Sequence, residues 1–336
     1  MFDPRLFEPR PQARSFLDAN GWAGIAPAAL AGDASFRKYF RLQAGARRAV
    51  MMDAPPPHED VRPFVAVGEH LAALGFSAPR ILAKNVRDGF LLLEDLGDAT
   101  FARVLADPAT ERGLYALACD TLIALHKHPA QARIDVGVYD AETLDREAAL
   151  LVDWFLPAFG AAASRAAYLA RWRKVYALGD IAPRVLVLRD YHVDNLVQLD
   201  ARAGVAACGM LDFQDARLGS VAYDLASLVD DVRRDVGPEI RALCVERYLA
   251  AFPALDRAAF ETAMAVLGAQ RLAKIAGIFV RLARRDGKPQ YLPHLARVWR
   301  LLDRALAHPA LAELRAWFDT NVPAHWRTAP EIGTGA

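Results

Sequence analysis

Three polar side chains between residues 186 and 215 have the types and spacing of a phosphoryl-transfer site. Asp190 and Asn195 lie five positions apart in LVLRDYHVDNLVQLD, on a short polar interruption between two apolar runs. Asp212 lies 17 residues beyond Asn195, far enough for a strand, a turn and a returning strand. Phosphoryl transfer needs one carboxylate near the acceptor hydroxyl, and an amide oxygen with a second carboxylate to hold Mg²⁺ on the phosphates. We therefore expect the hairpin to bring the three side chains together.

An isolated D-x-x-x-x-N pattern occurs by chance in many chains, so the interpretation depends on the elements around it. Ahead of it, residues 36–42 and 47–55 read as strands, 61–75 as a helix, and 79–97 as a strand, a turn and a strand. From about residue 100 the chain has the periodicity of helices, interrupted by strand-like sequence at 185–215. The predicted helices are 110–127, 141–159, 161–178, 222–233, 238–251, 257–284 and 293–318.

Length and charge limit the class of protein. A chain of 336 residues exceeds the roughly 250–300 at which one hydrophobic core stops growing, so two lobes are expected. With 41 basic and 40 acidic side chains there is no global field to recruit nucleic acid or an anionic membrane. Three cysteines among apolar neighbours suit reduced thiols. No signal segment opens the sequence, and apolar runs end well before the ~20 residues of a membrane span, which predicts a cytoplasmic protein without membrane or nucleic-acid partners.

Three motifs resemble those of the aminoglycoside phosphotransferase and choline kinase superfamily. RDYHVDN is similar to its catalytic loop, LDFQD to its metal-binding segment, and GSVAYDLASL to the helix start that follows. The resemblance covers roughly residues 30–300. It implies an α+β, protein-kinase-like fold with two lobes, a small β-rich N-lobe (residues 1–95, with a short N-terminal helix) and a larger helical C-lobe (residues 96–330), and an active site between them.

The same resemblance implies ATP and Mg²⁺ as cofactors and a role for each matching residue. Asp190 would be the catalytic base, and Asn195 and Asp212 the Mg²⁺ ligands. Asp215 and Asp224 would be structural carboxylates, Asp224 bracing the loop. One departure is that Leu188-Arg189 stands where the family has His-Gly.

A second departure affects the nucleotide site. The strand that carries a phosphate-pairing lysine in this superfamily reads AVMMDAP here, with no lysine. Positive charge could come instead from GDASFRKYFRL, and the backbone around its glycine could cradle phosphate. The adenine ring is expected to pair with backbone groups of 94–96, with Leu92 and Leu93 near its apolar walls. The predicted nucleotide-binding residues are Gly32, Ser35, Arg37, Lys38, Arg41, Leu92, Glu94, Asp95 and Leu96.

Within the superfamily, the sequence resembles most the bacterial kinases that phosphorylate the anomeric hydroxyl of N-acetylmuramate and N-acetylglucosamine in peptidoglycan recycling. The motifs that carry this resemblance include GDASFRKYFRL, LLLEDLGD and GIFVRLARRDGKPQYL. It implies an amino-sugar substrate and a functional partnership with a sugar-1-phosphate uridylyltransferase.

Candidate acceptor-binding residues lie in the loop and on two predicted helices. Glu147 and Trp154 are seven residues apart on one predicted helical face, where a carboxylate and an aromatic ring could bind a sugar. Arg271, Lys274 and Arg281 share one broad face, and one of them could pair with the lactyl carboxylate that distinguishes N-acetylmuramate. The alternative is a solvated basic stripe. The predicted acceptor-binding residues are Glu147, Trp154, His192, Asp194, Arg271 and Lys274.

Two other functions remain open from the sequence. An aminoglycoside or amino-alcohol acceptor would need acidic walls, which the helices in 257–308 do not supply. A catalytically silent kinase-fold binding protein would explain the missing lysine. Asp190, Asn195 and Asp212 argue against it, because crowded carboxylates without a metal would repel one another.

Overall fold

The computed structural model describes residues 8–30 and 36–331. By contacts the chain divides into two compact units, each described below by itself. Unit 1 comprises Met1–Thr110 with Asp194–Ala216, and unit 2 comprises Glu111–Val193 with Arg217–Ala336. The predicted domain boundary between residues 95 and 96 stays a prediction, because contacts group segments by proximity and not by independent folding.

Unit 1 is built on a five-stranded antiparallel sheet, in which the neighbouring strands Lys38–Ala44 and Arg47–Asp53 pair residue by residue, with Phe40 opposite Met51. The next strand places Leu92 opposite Met51. Because side chains alternate between the faces of a strand, these aligned residues lie on one face and form a core with the helix Gln12–Ala19. The strands, in spatial order, are Ala28–Ala29, Lys38–Ala44, Arg47–Asp53, Phe90–Leu93 and Ile81–Asn85.

A hairpin from later in the sequence completes unit 1. The strands Leu196–Gln198 and Cys208–Met210 pair antiparallel, which confirms the predicted strand, turn and returning strand between Asn195 and Asp212. Two isolated bridges, Thr100 with Val197 and Ser77 with Gly209, fasten it within the unit. In the described part of unit 1 the other helices are Arg62–Ala73 and Phe101–Val104, with 3₁₀ turns at Pro108–Thr110 and Gly204–Ala207.

Unit 2 is helical around one long buried helix, Arg257–Arg285, which we call the central helix. The short strands Arg184–Val187 and Arg217–Ser220 pair antiparallel and lead into the loop at 188–193 and the helix Tyr223–Val229. The remaining α-helices are Glu111–Lys127, Ala141–Ala148, Leu156–Ala158, Arg165–Gly179, Pro238–Ala251, Leu295–Leu306 and Ala312–Asn321.

Two predicted helices of unit 2 are interrupted. The prediction of one helix over 141–159 is wrong, because the chain widens into a π-helix at Leu151–Phe155. The prediction of one helix over 293–318 is wrong as well: it ends at Leu306, and a 3₁₀ turn at Pro309–Leu311 separates it from the next helix. Proline lacks the N–H that helix continuation requires, so the break falls where the sequence places Pro309.

The central helix also corrects the expectation that every apolar run is too short for a membrane span. It is long enough and apolar enough to cross a membrane. However, its most apolar stretch is 89% buried inside the protein. Its apolar character therefore reflects packing in the core of unit 2.

Candidate active site

Unit 1 contains a cavity of about 400 Å³ with apolar walls and carboxylates at its polar end. Leu93, Leu96 and Leu211 contribute apolar surface to it. Residues 94–98 line it as well. Asp194, Asn195 and Asp212 line the part that we call its polar end. The segment predicted to bind adenine and the residues predicted to bind Mg²⁺ thus line the same cavity, which is the arrangement that a nucleoside triphosphate requires.

The hairpin positions Asn195 and Asp212 beside each other. Leu196 pairs with Met210, and the Leu211 N–H donates to the Asn195 carbonyl at 2.9 Å, so the two residues flank the open end of the ladder. Asp212 has a φ of 57°, a left-handed conformation that is costly for a residue other than glycine. Strain of this kind is typical of positions where the fold fixes a functional side chain.

The donor set at this end of the cavity fits Mg²⁺. Among the described residues no group of three or more His, Cys, Asp or Glu side chains could hold a metal ion by itself. Mg²⁺ characteristically uses one or two carboxylates together with substrate phosphates and water. Asn195 and Asp212 supply hard oxygen donors of this kind, and the phosphates of a bound nucleotide would complete the coordination of the ion.

Ion pairs fix the segment 94–98 along the cavity. Arg41 pairs with Asp95 at 2.8 Å and with Asp98 at 2.6 Å. Asp95 also accepts the Gly97 N–H at 2.9 Å. The Glu94 carboxylate pairs with Arg202 at 2.7 Å, and its N–H donates to the Arg80 carbonyl at 2.8 Å. A base bound here must therefore use backbone groups other than the Glu94 N–H.

The three predicted cations of the nucleotide site contact different partners. Arg37 pairs with Asp212 at 3.1 Å, and Arg41 with Asp95 and Asp98. The Lys38 Nζ lies 3.5 Å from the Glu8 carbonyl. Gly32 and Ser35, also predicted to bind nucleotide, lie outside the described residues.

Leu92 does not line the cavity, contrary to the prediction. It belongs to the core cluster beneath the helix Gln12–Ala19, whereas Leu93 faces the cavity. Successive residues of a strand point to opposite faces, so the two leucines cannot form one wall. The strand positions without lysine are explained by the same core: Met51 and Met52 are buried, and the buried Asp53 pairs with Arg10 at 2.6 Å.

In unit 2 the loop carrying Asp190 is held by Asp224. This fully buried carboxylate accepts the Leu188 N–H at 2.6 Å and the Arg189 N–H at 2.9 Å. Burial raises the pKa of Asp224 to about 7, although the two N–H donors act in the opposite direction. Arg189 has a φ of 72°, so the loop turns through a left-handed residue immediately before Asp190.

Asp190 is surrounded by positive charge. Burial raises the pKa of its carboxyl, but the fields of Lys274 and Arg189 outweigh this effect and hold the pKa below the ordinary value. Asp190 is therefore ionised at neutral pH and able to accept a hydrogen bond from a hydroxyl group. Such a group can orient an acceptor and take its proton as the bond to phosphorus forms.

Glu147 organises the cations near Asp190. It forms an ion pair with Arg189, lies 3.4 Å from the Lys274 Nζ and accepts a hydrogen bond from the Tyr139 hydroxyl. The Tyr139 hydroxyl also lies 3.0 Å from the Tyr223 hydroxyl. The sequence predicted Glu147 and Lys274 as acceptor-binding residues, but the prediction missed Arg189, Tyr139 and Tyr223. The available signal was Arg189 itself, which stands where the family has glycine.

The paired use of Glu147 and Trp154 for a sugar ring is not supported. The π-helix at Leu151–Phe155 separates Trp154 from the regular helix that carries Glu147, so seven residues no longer return to one face. Trp154 is half-buried. Glu147 is largely buried and engaged by Arg189 and Lys274.

The other predicted acceptor and structural residues have varied surroundings. His192 is buried, with its Nε2 2.9 Å from Arg233, and burial followed by that charge lowers its pKa well below the ordinary value. The ring is therefore neutral. Asp194 lines the cavity of unit 1, and Asp215 is exposed. Arg271 and Lys274 are both buried on the central helix, so the alternative of a solvated basic stripe is wrong for these two.

Comparison with known proteins decides the family. The family model described as "Phosphotransferase enzyme family" matches residues 28–261. The chain belongs to this phosphotransferase family. The sequence-based prediction of the family is confirmed, and its members are enzymes that transfer phosphoryl groups.

Several curated relatives of the phosphotransferase align along most of their length. A protein of Caulobacter vibrioides named N-acetylmuramate/N-acetylglucosamine kinase is 41% identical, with 93% of this chain and 96% of the relative covered. A protein of the same name from Pseudomonas aeruginosa is 41% identical over 88% of this chain and 89% of the relative.

Solved structures confirm the predicted fold class. The choline kinase of Streptococcus pneumoniae superposes with a TM-score of 0.62 at 10% identity, over 90% of this chain and all of that one. An aminoglycoside phosphotransferase in a ternary complex with streptomycin and ATP gives 0.54 at 15% identity, over 82% of this chain and 90% of that one. At such low identity these likenesses establish the fold alone.

Proposed function

We propose that this phosphotransferase is an ATP- and Mg²⁺-dependent kinase whose acceptors are N-acetylmuramate and N-acetylglucosamine. The observation that carries the proposal is the cavity of unit 1, which has the segment 94–98 along it and Asn195 with Asp212 at its polar end. The acceptor class is supported by the names of relatives 41% identical over most of the chain.

The residues of unit 1 would bind and orient the phosphoryl donor. Backbone groups of 94–96 would hold the base, with Leu93 and Leu96 against its faces. Asn195 and Asp212 would hold Mg²⁺, which neutralises charge on the phosphates when it is bound. The ion pairs of Arg41 keep this segment in place before the nucleotide arrives, so little order has to be gained on binding.

Asp190 of unit 2 would act on the acceptor. Its ionised carboxylate accepts the hydrogen bond of the attacking hydroxyl and takes the proton as the oxygen–phosphorus bond forms and ADP leaves. Asp224 fixes the loop through two N–H groups. Because transfer of this kind is mainly positioning and electrostatics, a rigid loop with a charged carboxylate is sufficient machinery.

The hydroxyl that reacts is, in this proposal, the anomeric one. The product would be a sugar 1-phosphate, the form that a uridylyltransferase can convert to a UDP-sugar, and the reaction would take place in the cytoplasm. Phosphorylation of an aminoglycoside or amino alcohol is the competing proposal, supported only by structural neighbours at low identity.

The test is ADP release by the purified protein with each sugar, with kanamycin and with choline, followed by ³¹P NMR of the product. Turnover with both sugars and an anomeric phosphate signal are expected. Turnover with kanamycin or choline but with neither sugar would show that the acceptor is an aminoglycoside or an amino alcohol. A protein that binds MgATP but releases no ADP with any of these acceptors would revive the alternative of a silent binding protein.

A further inference from the structure

We propose that Arg37 takes the role of the missing strand lysine: it occupies the Asp212 carboxylate in the nucleotide-free protein and moves to the phosphates when metal and nucleotide bind. This inference rests on the proposed function and assigns a nucleotide-binding role within it. Nucleotide binding would then include a change of the Arg37 partner from Asp212 to phosphate.

Lysine cannot fill this role from the strand. Met51 and Met52 are buried in the core of unit 1, and the buried Asp53 pairs with Arg10. The two lysines in the described part of unit 1 are engaged elsewhere. Lys38 lies against the Glu8 carbonyl at 3.5 Å, and Lys84 forms an exposed pair with Glu69 at 2.7 Å.

Arg41 is an unsuitable substitute, because two carboxylates hold it. It pairs with Asp95 at 2.8 Å and Asp98 at 2.6 Å, both in the segment that runs along the cavity. The Asp95 side chain is 3% exposed, and taking Arg41 to the phosphates would leave its charge without this partner, which is costly. The contacts of Arg41 suit a residue that keeps the segment 94–98 in place.

Arg37 instead contacts a predicted metal ligand. Its guanidinium lies 3.1 Å from the Asp212 Oδ1, and its side chain is 11% exposed. Burial opposes the charge of Arg37, but Tyr39, Asp212 and Glu59 raise its pKa above the ordinary value, so it stays cationic. The positive charge that Asp212 would receive from a metal is thus supplied by Arg37 in this structure.

A metal and Arg37 would compete for the same oxygen. Asp212 Oδ1 accepts from Arg37 and also from the Gln214 amide at 2.9 Å. An ion binding there must displace at least part of this set, which releases a guanidinium within reach of the cavity's polar end. A planar guanidinium matches phosphate oxygens through two parallel hydrogen bonds, so phosphate is a suitable new partner.

The test uses two binding measurements that a displacement moves in opposite directions. Mn²⁺ binding to the nucleotide-free protein is followed by electron paramagnetic resonance, and ATP binding at saturating Mg²⁺ by calorimetry. Arg37→Met should bind Mn²⁺ about tenfold more tightly than wild type, because Asp212 is freed, and ATP about tenfold more weakly. Lys84→Met, which removes one positive charge from an exposed pair in the same unit, should change neither affinity.

If Arg37 only supported the fold, Arg37→Met would weaken the binding of both Mn²⁺ and ATP. A Mn²⁺ affinity that is unchanged or lower in Arg37→Met overturns the proposal. Arg37→Lys keeps the charge and should restore ATP binding to within a few-fold of wild type; failure to do so would also count against it. The proposed function is tested separately by sugar turnover in the wild type. If wild type turns over sugar and Arg37→Met has the same Mn²⁺ and ATP affinities as wild type, the proposed function stands and only the inference about Arg37 is refuted.

Discussion

Two buried cations on the central helix differ in what surrounds them. Lys274 lies 3.4 Å from Glu147, which also pairs with Arg189, and contributes more than Arg271 does to the field at Asp190. Arg271 is 3% exposed, and its Nη1 is buried without a hydrogen-bond partner among the described residues. A buried charged donor without a partner is rare and costly, so Arg271 is the better candidate for an anionic group of the acceptor.

This contrast refines the predicted acceptor selectivity. Arg271→Met should weaken the binding of N-acetylmuramate about tenfold or more and leave the binding of N-acetylglucosamine nearly unchanged. The reason is that a charge-assisted hydrogen bond contributes about 1.5–3 kcal/mol, and only N-acetylmuramate has a lactyl carboxylate. Lys274→Met should reduce turnover of both sugars, because it disturbs Glu147 and Asp190. The measurement is kcat and KM from ADP release with each sugar. Equal losses with the two sugars in Arg271→Met would mean that Arg271 supports the fold and does not bind the lactyl carboxylate.

Asp224 predicts a pH dependence of stability. Its pKa of about 7 in the folded protein lies above the roughly 3.9 of an unfolded aspartate, so between these values the folded state holds a proton that the unfolded state lacks. The stabilisation from this proton is complete below about pH 4 and is lost as the pH rises through about 7. Asp224→Asn should remove this contribution, which has a slope of up to about 1.4 kcal/mol per pH unit.

Urea unfolding of wild type and Asp224→Asn from pH 5 to 8.5 would measure the difference in slope. The asparagine side chain has only one acceptor oxygen and would lose one of the two N–H contacts, so the variant is expected to be less stable at every pH. The slope, and not the offset, is therefore the readout. Parallel curves would show that the Asp224 pKa is not raised.

At the scale of elements, the close approach of two helices in unit 2 gives a stability prediction. A Cβ on Gly277 of the central helix would lie 2.2 Å from the Leu150 backbone, immediately before the π-helix. Gly277→Ala should therefore destabilise the protein by about 1–3 kcal/mol or more through overpacking. Gly113 lies in the helix Glu111–Lys127 with nothing within 4 Å of such a Cβ.

Gly113→Ala is the matched control and should be neutral or stabilise by about 0.5–1 kcal/mol, since alanine favours helix more than glycine does. Denaturant midpoints of the two variants decide the matter. Equal effects of the two substitutions would mean that the Leu150 contact is not tight.

The elements that sequence analysis predicted well are those whose signal is local. The strands at 36–42 and 47–55 and the helices at 110–127 and 238–251 follow from hydrophobic period, proline and glycine, and the structure has them within a few residues. The π-helix at Leu151–Phe155 was missed because it accompanies packing against Gly277, which no local pattern encodes. The break at Pro309 had a local signal that was overlooked.

At the scale of the whole molecule, the motifs around Asp190, Asn195 and Asp212 were enough to predict the family and the fold class, since both depend on a few polar residues between apolar strands. Their partners were not predictable in the same way. Arg189 and Tyr139 meet Glu147, and Tyr223 meets Tyr139, through tertiary contacts between distant segments. The proposed choice of Arg37 over Lys38 and Arg41 likewise depends on which oxygen acceptor each side chain reaches.

Turnover of Asp190→Asn at saturating ATP and sugar measures whether Asp190 is the base. We expect kcat to fall by a factor of about 10²–10⁴, the range for a positioned base, with nucleotide affinity and unfolding midpoint close to wild type. Asparagine keeps the size of the side chain but can neither carry the charge nor take the proton. Near-normal kcat with either sugar would contradict the assignment of Asp190 and, with it, the mechanism.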